Sequence, residues 1–191
     1  MTAIVINLPA IAQFNDEQFY QLCQANSDLK LELSAVGELI VMPPTGGITG
    51  KRNSDIIADL VIWNRRTGLG VVFDSSTVFK LPNGANRSPD AAWIPLDKWN
   101  ALTSEQQEKF LPLCPDFVIE LRSPSDSLKT LQNKMQEFID NGTVLGWLIN
   151  PQARQVEIYH QSREKEVLEH PINVLGENVL PGFVFNLQLI W

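Results

Sequence analysis

Two carboxylates and one lysine, between positions 87 and 134, have the residue types and spacing for metal-assisted hydrolysis. Asp90 directly precedes an apolar strand, Glu120 lies in a second apolar strand, and Lys134 falls on the helix that follows. Magnesium binds carboxylate oxygens while keeping several waters, so two acids on rigid strands suffice to hold it. A bound metal polarises a phosphate and activates water. These residues therefore predict that Asp90 and Glu120 bind Mg2+ or Mn2+ and that Lys134 assists phosphodiester hydrolysis.

Each of these residues also has an ordinary structural explanation. The pair Pro89-Asp90 is typical of a turn, and an acid at the end of a strand is usually solvated. Lys134 lies beside the apolar stripe of its helix, where a lysine stem commonly packs while its ammonium stays in solvent. The set as a whole favours the functional interpretation, because it combines two acids and a cation in places compatible with one site.

Two further charged residues are candidates for the same site. Glu120 and Arg122 are two positions apart on one strand, so we expect them on one face, where the guanidinium could orient a phosphate or a water. Glu38 opens an apolar strand after a glycine and could supply a third acid, although a lone charge there is commonly a strand-edge residue. Asp116 is excluded because it lies four residues before Glu120 in the same strand, roughly 13 Å away.

The elements that must position these residues follow from the apolar pattern. The order strand–helix–strand from 117 to 149 predicts a parallel crossover, and the strands before it read as antiparallel hairpins. Together they predict an α/β fold with a mixed β-sheet flanked by helices. Elsewhere we expect an extended lead-in over residues 1–13, a flexible glycine-rich loop over 45–50, a helix over 51–66, a polar helical segment over 97–110 and a strand over 183–191.

Composition narrows the class of protein. A chain of 191 residues with 44% apolar and 19% charged residues predicts a single globular domain over 1–191. A net charge of −7 argues against a protein that coats nucleic acid, but a nuclease with clustered carboxylates remains compatible with it. No apolar run has the length of a membrane span. The two cysteines lie far apart and the N-terminus does not resemble a signal peptide, so we expect a cytoplasmic protein without membrane contact.

Several motifs together resemble the Uma-type putative endonuclease family, which is restriction-endonuclease-like and was formerly a domain of unknown function. The matching positions are 37–50, 73–77, Arg87-Ser88-Pro89-Asp90, 117–126, Lys134 with Phe138, and Leu180-Pro181-Gly182-Phe183. The resemblance implies a restriction-endonuclease-like fold and a nuclease core of the form Pro-Asp…Asp/Glu-x-Lys, with Asp90 and Glu120 as its acids.

The sequence departs from that core at one position, because Arg122 stands where the motif has lysine. Arginine stays charged and cannot act as a base. Either Arg122 only binds phosphate or Lys134 supplies the lysine role from the helix, and we favour Lys134.

Two functions of different classes remain open from the sequence. The first is a DNA endonuclease, acting as a homodimer because cutting both strands of a duplex favours two sites related by a two-fold axis. The second is a catalytically inactive nucleic-acid-binding or assembly module on the same fold. The position of the Lys134 ammonium distinguishes them: a distance above about 6 Å from the carboxylates would favour the inactive module.

Overall fold

The computed structural model describes residues 3–8 and 14–191 and shows sheets flanked by helices. In chain order its elements are β1 (Ile4–Ile6), α1 (Asp16–Ala25), β2 (Lys30–Leu33), β3 (Leu39–Met42), α2 (Gly47–Thr67), β4 (Gly70–Asp74), β5 (Phe79–Lys80), β6 (Asn86–Arg87), β7 (Ala91–Pro95), α3 (Leu96–Asn100), α4 (Ser104–Glu108), β8 (Phe117–Leu121), α5 (Leu128–Asp140), β9 (Leu145–Asn150), β10 (Gln155–His160), β11 (Glu166–Glu169), β12 (Asn173–Leu175), β13 (Val184–Asn186) and a 3-10 turn (Leu187–Leu189).

The central sheet has six strands in the order β11-β10-β9-β8-β7-β4. Strands β8 and β9 are parallel and α5 connects them, while the other neighbours are antiparallel. The predicted crossover is therefore present with its predicted strand pair. Ser127 begins α5 by accepting a hydrogen bond from the Thr130 amide at 3.4 Å, which satisfies one of the free donors at the helix start.

A second, antiparallel sheet carries the first part of the chain, in the order β1-β3-β2-β6-β5, and a two-stranded sheet pairs β12 with β13. The sequence predicted one mixed sheet, and the structure divides its strands among these three sheets. Residues 1–13 were expected to be an extended lead-in. Ile4–Ile6 is extended and forms β1 against β3, while residues 1, 2 and 9–13 of that segment lie outside the described residues.

Apolar side chains cover both faces of the central sheet. On β8, Phe117 and Ile119 pack against α2, whereas Val118 packs on the opposite face against α5. Because both faces are buried, the strand reads as a continuous apolar run. Glu120 is buried within that run, on the α5 face, with only 4% of its surface exposed.

Three local predictions were wrong. Helix α2 begins at Gly47, inside the expected loop, despite the low helix propensity of its glycines, and Thr49 in its first turn is buried. The segment over 97–110 forms two short helices, since Thr103 caps a new one. The final strand ends at Asn186, whose side chain accepts from the Gln188 amide at 3.0 Å and turns the chain into a 3-10 helix.

Candidate active site

Asp90 and Glu120 meet across the antiparallel pair of β7 and β8. Ala91 pairs with Ile119 in the register of these strands, so Asp90, one residue earlier, lies opposite Glu120. The Asp90 carboxylate accepts a hydrogen bond from the Leu121 amide at 2.8 Å, which fixes it at the end of β8. The two acids that the sequence singled out therefore stand side by side at one end of the central sheet.

Lys134 extends from α5 into this pair of acids. Its ammonium lies 2.7 Å from Glu120 Oε1, 2.8 Å from Glu32 Oε1 and 3.1 Å from the Ser88 carbonyl. The contact with Glu120 is an ion pair whose angles fall short of hydrogen-bond geometry. Its side chain is 10% exposed, so the alternative of an ammonium in solvent is wrong. The distance is also well below the roughly 6 Å limit for useful charge coupling.

Glu32 is a member of this cluster that the sequence did not single out. It lies on β2 and is only 1% exposed. Besides Lys134, it accepts hydrogen bonds from the Ser88 amide at 3.1 Å and the Arg87 guanidinium at 3.2 Å. In the sequence it stands between Leu31 and Leu33, as the polar residue of an alternating strand normally does on a solvated face. The sequence around Glu32 does not show that this face of β2 is covered, because Arg87, Ser88 and Lys134, which cover it, come from distant parts of the chain.

Arg87 joins these residues to Glu137, which lies about one turn after Lys134 on α5. Its guanidinium lies between Glu32, at 3.2 Å, and Glu137, at 2.6 Å, and its side chain is 11% exposed. Burial alone would lower the pKa of Arg87, but these two carboxylates outweigh it and raise the pKa. The side chains of Glu120, Lys134, Glu32 and Arg87 are therefore linked by successive ion pairs. Asp90 lies opposite Glu120 on the neighbouring strand, and we call these five residues the charge cluster.

The two buried glutamates of the charge cluster have opposite pKa shifts. Burial would raise the pKa of Glu32, but the charges of Lys134 and Arg87 outweigh it and lower the pKa to about 2. Burial raises the pKa of Glu120 to about 7, because the charges of Asp90 and Glu32 add to it and Lys134 only partly opposes it. Burial would lower the pKa of Lys134, but the carboxylates of Glu120 and Glu32 outweigh it and raise the pKa. Near neutral pH, Lys134 is therefore charged, Glu32 is ionised and Glu120 is close to its midpoint.

The family profile described as "Putative restriction endonuclease", with the name Uma2, matches residues 16–188. This chain belongs to the Uma2 family. The match includes every residue of the charge cluster, and it confirms the family that the sequence motifs indicated.

A solved structure has the same fold as this Uma2 chain. It is the crystal structure of a putative nuclease belonging to DUF820 from Anabaena variabilis, with 20% sequence identity and a TM-score of 0.72. The superposition covers 84% of this chain and 89% of the other. This likeness confirms the predicted fold class, a mixed α/β fold in which helices flank the sheets. No curated protein matches the sequence.

The other charged candidates of this Uma2 chain have different surroundings. The Arg122 guanidinium donates to the Asp126 carbonyl at 3.2 Å and to Asn150 Oδ1 at 3.3 Å, rather than to Glu120. Glu38 lies in the turn before β3, where its amide donates to Ser34 Oγ. Within the described part of the chain its carboxylate makes no hydrogen bond or ion pair with the charge cluster. The second acid that contacts Lys134, beside Glu120, is Glu32.

Asp116, the acid excluded on grounds of distance, belongs to a different contact. Its Oδ1 lies 2.9 Å from the Lys98 ammonium, and its carbonyl accepts from the Val144 and Leu145 amides. It therefore fixes the start of β8 against β9 rather than the end that carries Glu120.

The donor set of the charge cluster fits a hard divalent cation held with waters. Asp90 and Glu120 supply carboxylate oxygens from two adjacent strands, the ligand type that magnesium prefers. Among the described residues, no group of three or more acidic, histidine or cysteine side chains is arranged to hold a metal ion. A metal at this site would thus take two protein carboxylates and complete its coordination with water and substrate oxygens.

A surface cavity of about 550 Å³ lies away from the charge cluster, between the second half of α5 and the turn that follows β10. The basic side chains of its wall are already paired, Arg163 with Glu177 and Lys165 with Glu157. The candidate chemistry is therefore at the end of β8 and not in this cavity.

No helix in residues 3–8 and 14–191 is long and apolar enough to cross a membrane.

Proposed function

We propose that this protein is a metal-dependent endonuclease that hydrolyses the phosphodiester bonds of DNA. The observation that carries the proposal is the buried Lys134 ammonium, 2.7 Å from Glu120, beside a second acid on the neighbouring strand. Two carboxylates and a cation at the end of a sheet, in a family described as putative restriction endonucleases, match the requirements of phosphoryl hydrolysis. These are a site for a divalent ion and a fixed positive charge near the reacting phosphate.

Asp90 and Glu120 are the residues that would hold Mg2+ or Mn2+. The bound ion would supply Lewis-acid activation of the phosphate and a more acidic water. The protein fixes both carboxylates before substrate arrives: the Leu121 amide orients Asp90, and rigid β8 carries Glu120. Such preorganisation lowers the reorganisation required during the reaction.

Lys134 fills the lysine role of the nuclease motif from α5. Its ammonium is adjacent to Glu120, where it can orient a water or stabilise charge that develops on the phosphate. Arg122 is positioned by Asp126 and Asn150 instead. Since arginine remains protonated, its available role is a contact to a phosphate oxygen.

The alternative is a catalytically inactive nucleic-acid-binding or assembly module. Arg122 in the lysine position and the net charge of −7 favour it. The short distance between Lys134 and Glu120 favours the enzyme, because an inactive module has no need to keep a buried lysine among buried acids. A buried ion pair commonly costs more in desolvation than it returns.

The test is cleavage of plasmid and single-stranded DNA with Mg2+ or Mn2+. We compare wild type with Asp90→Asn, Glu120→Gln and Lys134→Met, and use Glu105→Gln as a matched control that removes an exposed acid on α4. We expect losses of at least about 100-fold in the three site variants and wild-type cleavage in the control. Cleavage that survives Asp90→Asn and Glu120→Gln would refute the assignment.

We further propose that the active form is a homodimer. A two-fold axis would present two sites to the two strands of a duplex. Sedimentation of the protein with and without DNA, together with the ratio of linear to nicked plasmid at early times, tests this arrangement. A protein that stays monomeric on DNA and only nicks it would contradict it.

A further inference from the structure

The Lys134 ammonium lies against the carboxylate of Glu120, one of the two proposed metal ligands. It lies 2.7 Å from Glu120 Oε1, while a magnesium ligand distance is about 2.1 Å. An ammonium and a divalent ion that share one carboxylate would lie within a few ångströms of each other. Their repulsion is strong at such a separation in a partly buried site.

We propose that Lys134 is a resident counter-cation that competes with divalent metal for the Glu120 carboxylate, and that Glu32 retains the ammonium when metal takes its place. The inference rests on the proposed metal site at Asp90 and Glu120, and concerns what occupies that site before metal binds. It assigns Lys134 a second role, which is to lower the affinity of the site for divalent metal.

Glu32 is suited to retain the ammonium because it is itself held firmly. Arg87 and the Ser88 amide both donate to its carboxylate, at 3.2 and 3.1 Å. The Ser88 carbonyl adds a second acceptor for Lys134 at 3.1 Å. Both hydrogen-bond acceptors of the ammonium therefore remain after the ion pair with Glu120 is broken. Lys134 can thus stay beside the reacting groups instead of swinging into solvent.

Metal affinity measured without DNA tests the competition. We titrate the full-length protein with Mn2+ alone, by calorimetry and by the electron paramagnetic resonance signal of free Mn2+. Lys134→Met keeps an unbranched side chain, one atom shorter, and removes its charge, so we expect affinity to rise on the order of 10- to 100-fold. Lys129→Met, which removes an exposed lysine five residues earlier on α5, is the matched control and should change affinity by less than about 3-fold.

A charge-balanced variant separates direct competition from net charge. Glu32→Gln with Lys134→Met removes one negative and one positive charge, so the cluster keeps its wild-type total. In both variants Glu120 loses its cationic partner, whereas Arg87 stays beside position 32. If competition at Glu120 is direct, the double variant still binds Mn2+ at least about 5-fold more tightly than wild type.

The outcomes are distinct from those of the cleavage test. Mn2+ affinity in both Lys134 variants that equals or falls below that of wild type overturns the competition, whether or not wild type cuts DNA. Tighter binding in both variants, abolished by adding Asp90→Asn, supports it even if wild type proves unable to cleave. Tighter binding in Lys134→Met but not in the double variant would reduce the effect to net charge and overturn the direct role of the lysine.

Discussion

At the scale of single residues, the pKa values of two buried glutamates of the charge cluster are shifted in opposite directions by their neighbours. Glu32 touches both cations, whereas Glu120 shares one ammonium with Glu32 and faces Asp90. A carboxylate with two cationic partners gains more than burial costs it, and one that shares a cation beside another acid does not. The position of the cations thus separates a structural carboxylate from one that is available to a metal or a proton.

The raised pKa of Glu120 predicts a specific dependence of stability on pH. The folded protein keeps the Glu120 proton up to about pH 7, while the unfolded chain releases it near its ordinary value of 4.5. Unfolding therefore releases a proton in this window, and the free energy of unfolding falls as pH rises through it. Glu32 acts in the opposite sense, since its pKa is lowered to about 2, and its contribution is lost as pH falls below 4.5.

Glu120→Gln should remove the fall in the free energy of unfolding that Glu120 causes as pH rises. In metal-free protein, we expect the stability of the variant relative to wild type to increase between about pH 5 and about pH 8, by on the order of 3 kcal/mol. Urea unfolding across this range in the presence of chelator measures it. A difference between the two proteins that stays constant with pH would show that Glu120 has an ordinary pKa.

Arg87 offers a prediction about the buried ion pairs. Arg87→Met leaves Glu137 without its cation and Glu32 with Lys134 alone, so it should destabilise the fold by about 3–5 kcal/mol in denaturant unfolding. Arg65→Met, at an exposed site on α2, should change stability by no more than about 0.5 kcal/mol. A loss below about 1 kcal/mol for Arg87→Met would mean that water replaces the guanidinium.

The sequence indicated part of the candidate site. Asp90, Glu120 and Lys134 could be singled out because a motif and helical spacing expose them, and the structure brings all three together. Their chemical roles stay predictions. Glu32 and Arg87 could not be assigned, because their significance comes from contacts between residues 55 positions apart. Arg122 was expected beside Glu120 from strand alternation, but β8 ends at Leu121, so the alternation no longer applies.

At the scale of elements, the close approach of α5 to the central sheet decides whether Lys134 reaches the acids. Gly146 on β9 makes this approach possible, since a Cβ atom there would lie 2.4 Å from Met135 Cε and 3.3 Å from Val118 Cγ2. Met135 is fully buried, so its end has little room to move away. The glycine therefore leaves the space that the end of the Met135 side chain fills between α5 and the sheet.

Gly146→Ala should destabilise the protein by about 1–3 kcal/mol through overpacking. It should also reduce cleavage, because α5 carries Lys134 with it. The double variant Gly146→Ala/Met135→Val, which frees space, should recover part of both losses. Gly47→Ala, where an added Cβ meets nothing within 4 Å, serves as a control and should be neutral or slightly stabilising. Equal effects at the two glycines would argue against the packing explanation.

The same scale shows which parts of the fold were predictable. The run β8–α5–β9 could be assigned closely, because its strands are continuous apolar segments and Ser127 marks the helix start. The division into several sheets could not, since it depends on pairings such as Leu33 with Asn86, which leave no local pattern. Short elements such as β6 are fixed by these distant partners and not by their own propensity.

At the scale of the whole molecule, the charge of the protein opposes its proposed substrate. With 22 acidic and 15 basic residues, the net charge is −7, and DNA presents a dense row of phosphates. The acids of the charge cluster add local repulsion at the place where a phosphate would have to lie. Divalent metal reverses this local field, so we expect DNA affinity to be low in chelator and to rise when metal is added.

Neutralising one acid of the site should mimic part of this effect without metal. In chelator at about pH 8, above the raised pKa of Glu120, both Asp90→Asn and Glu120→Gln should bind duplex DNA about 3- to 10-fold more tightly than wild type. Glu105→Gln removes the same charge from an exposed position on α4, and should have a much smaller effect because solvent and salt screen it. Fluorescence anisotropy with a labelled duplex measures all four proteins. If Glu105→Gln raised the affinity as much as the site variants, overall charge would govern the approach of DNA. A gain confined to Asp90→Asn and Glu120→Gln would instead locate a phosphate beside these two carboxylates, independently of any cleavage assay.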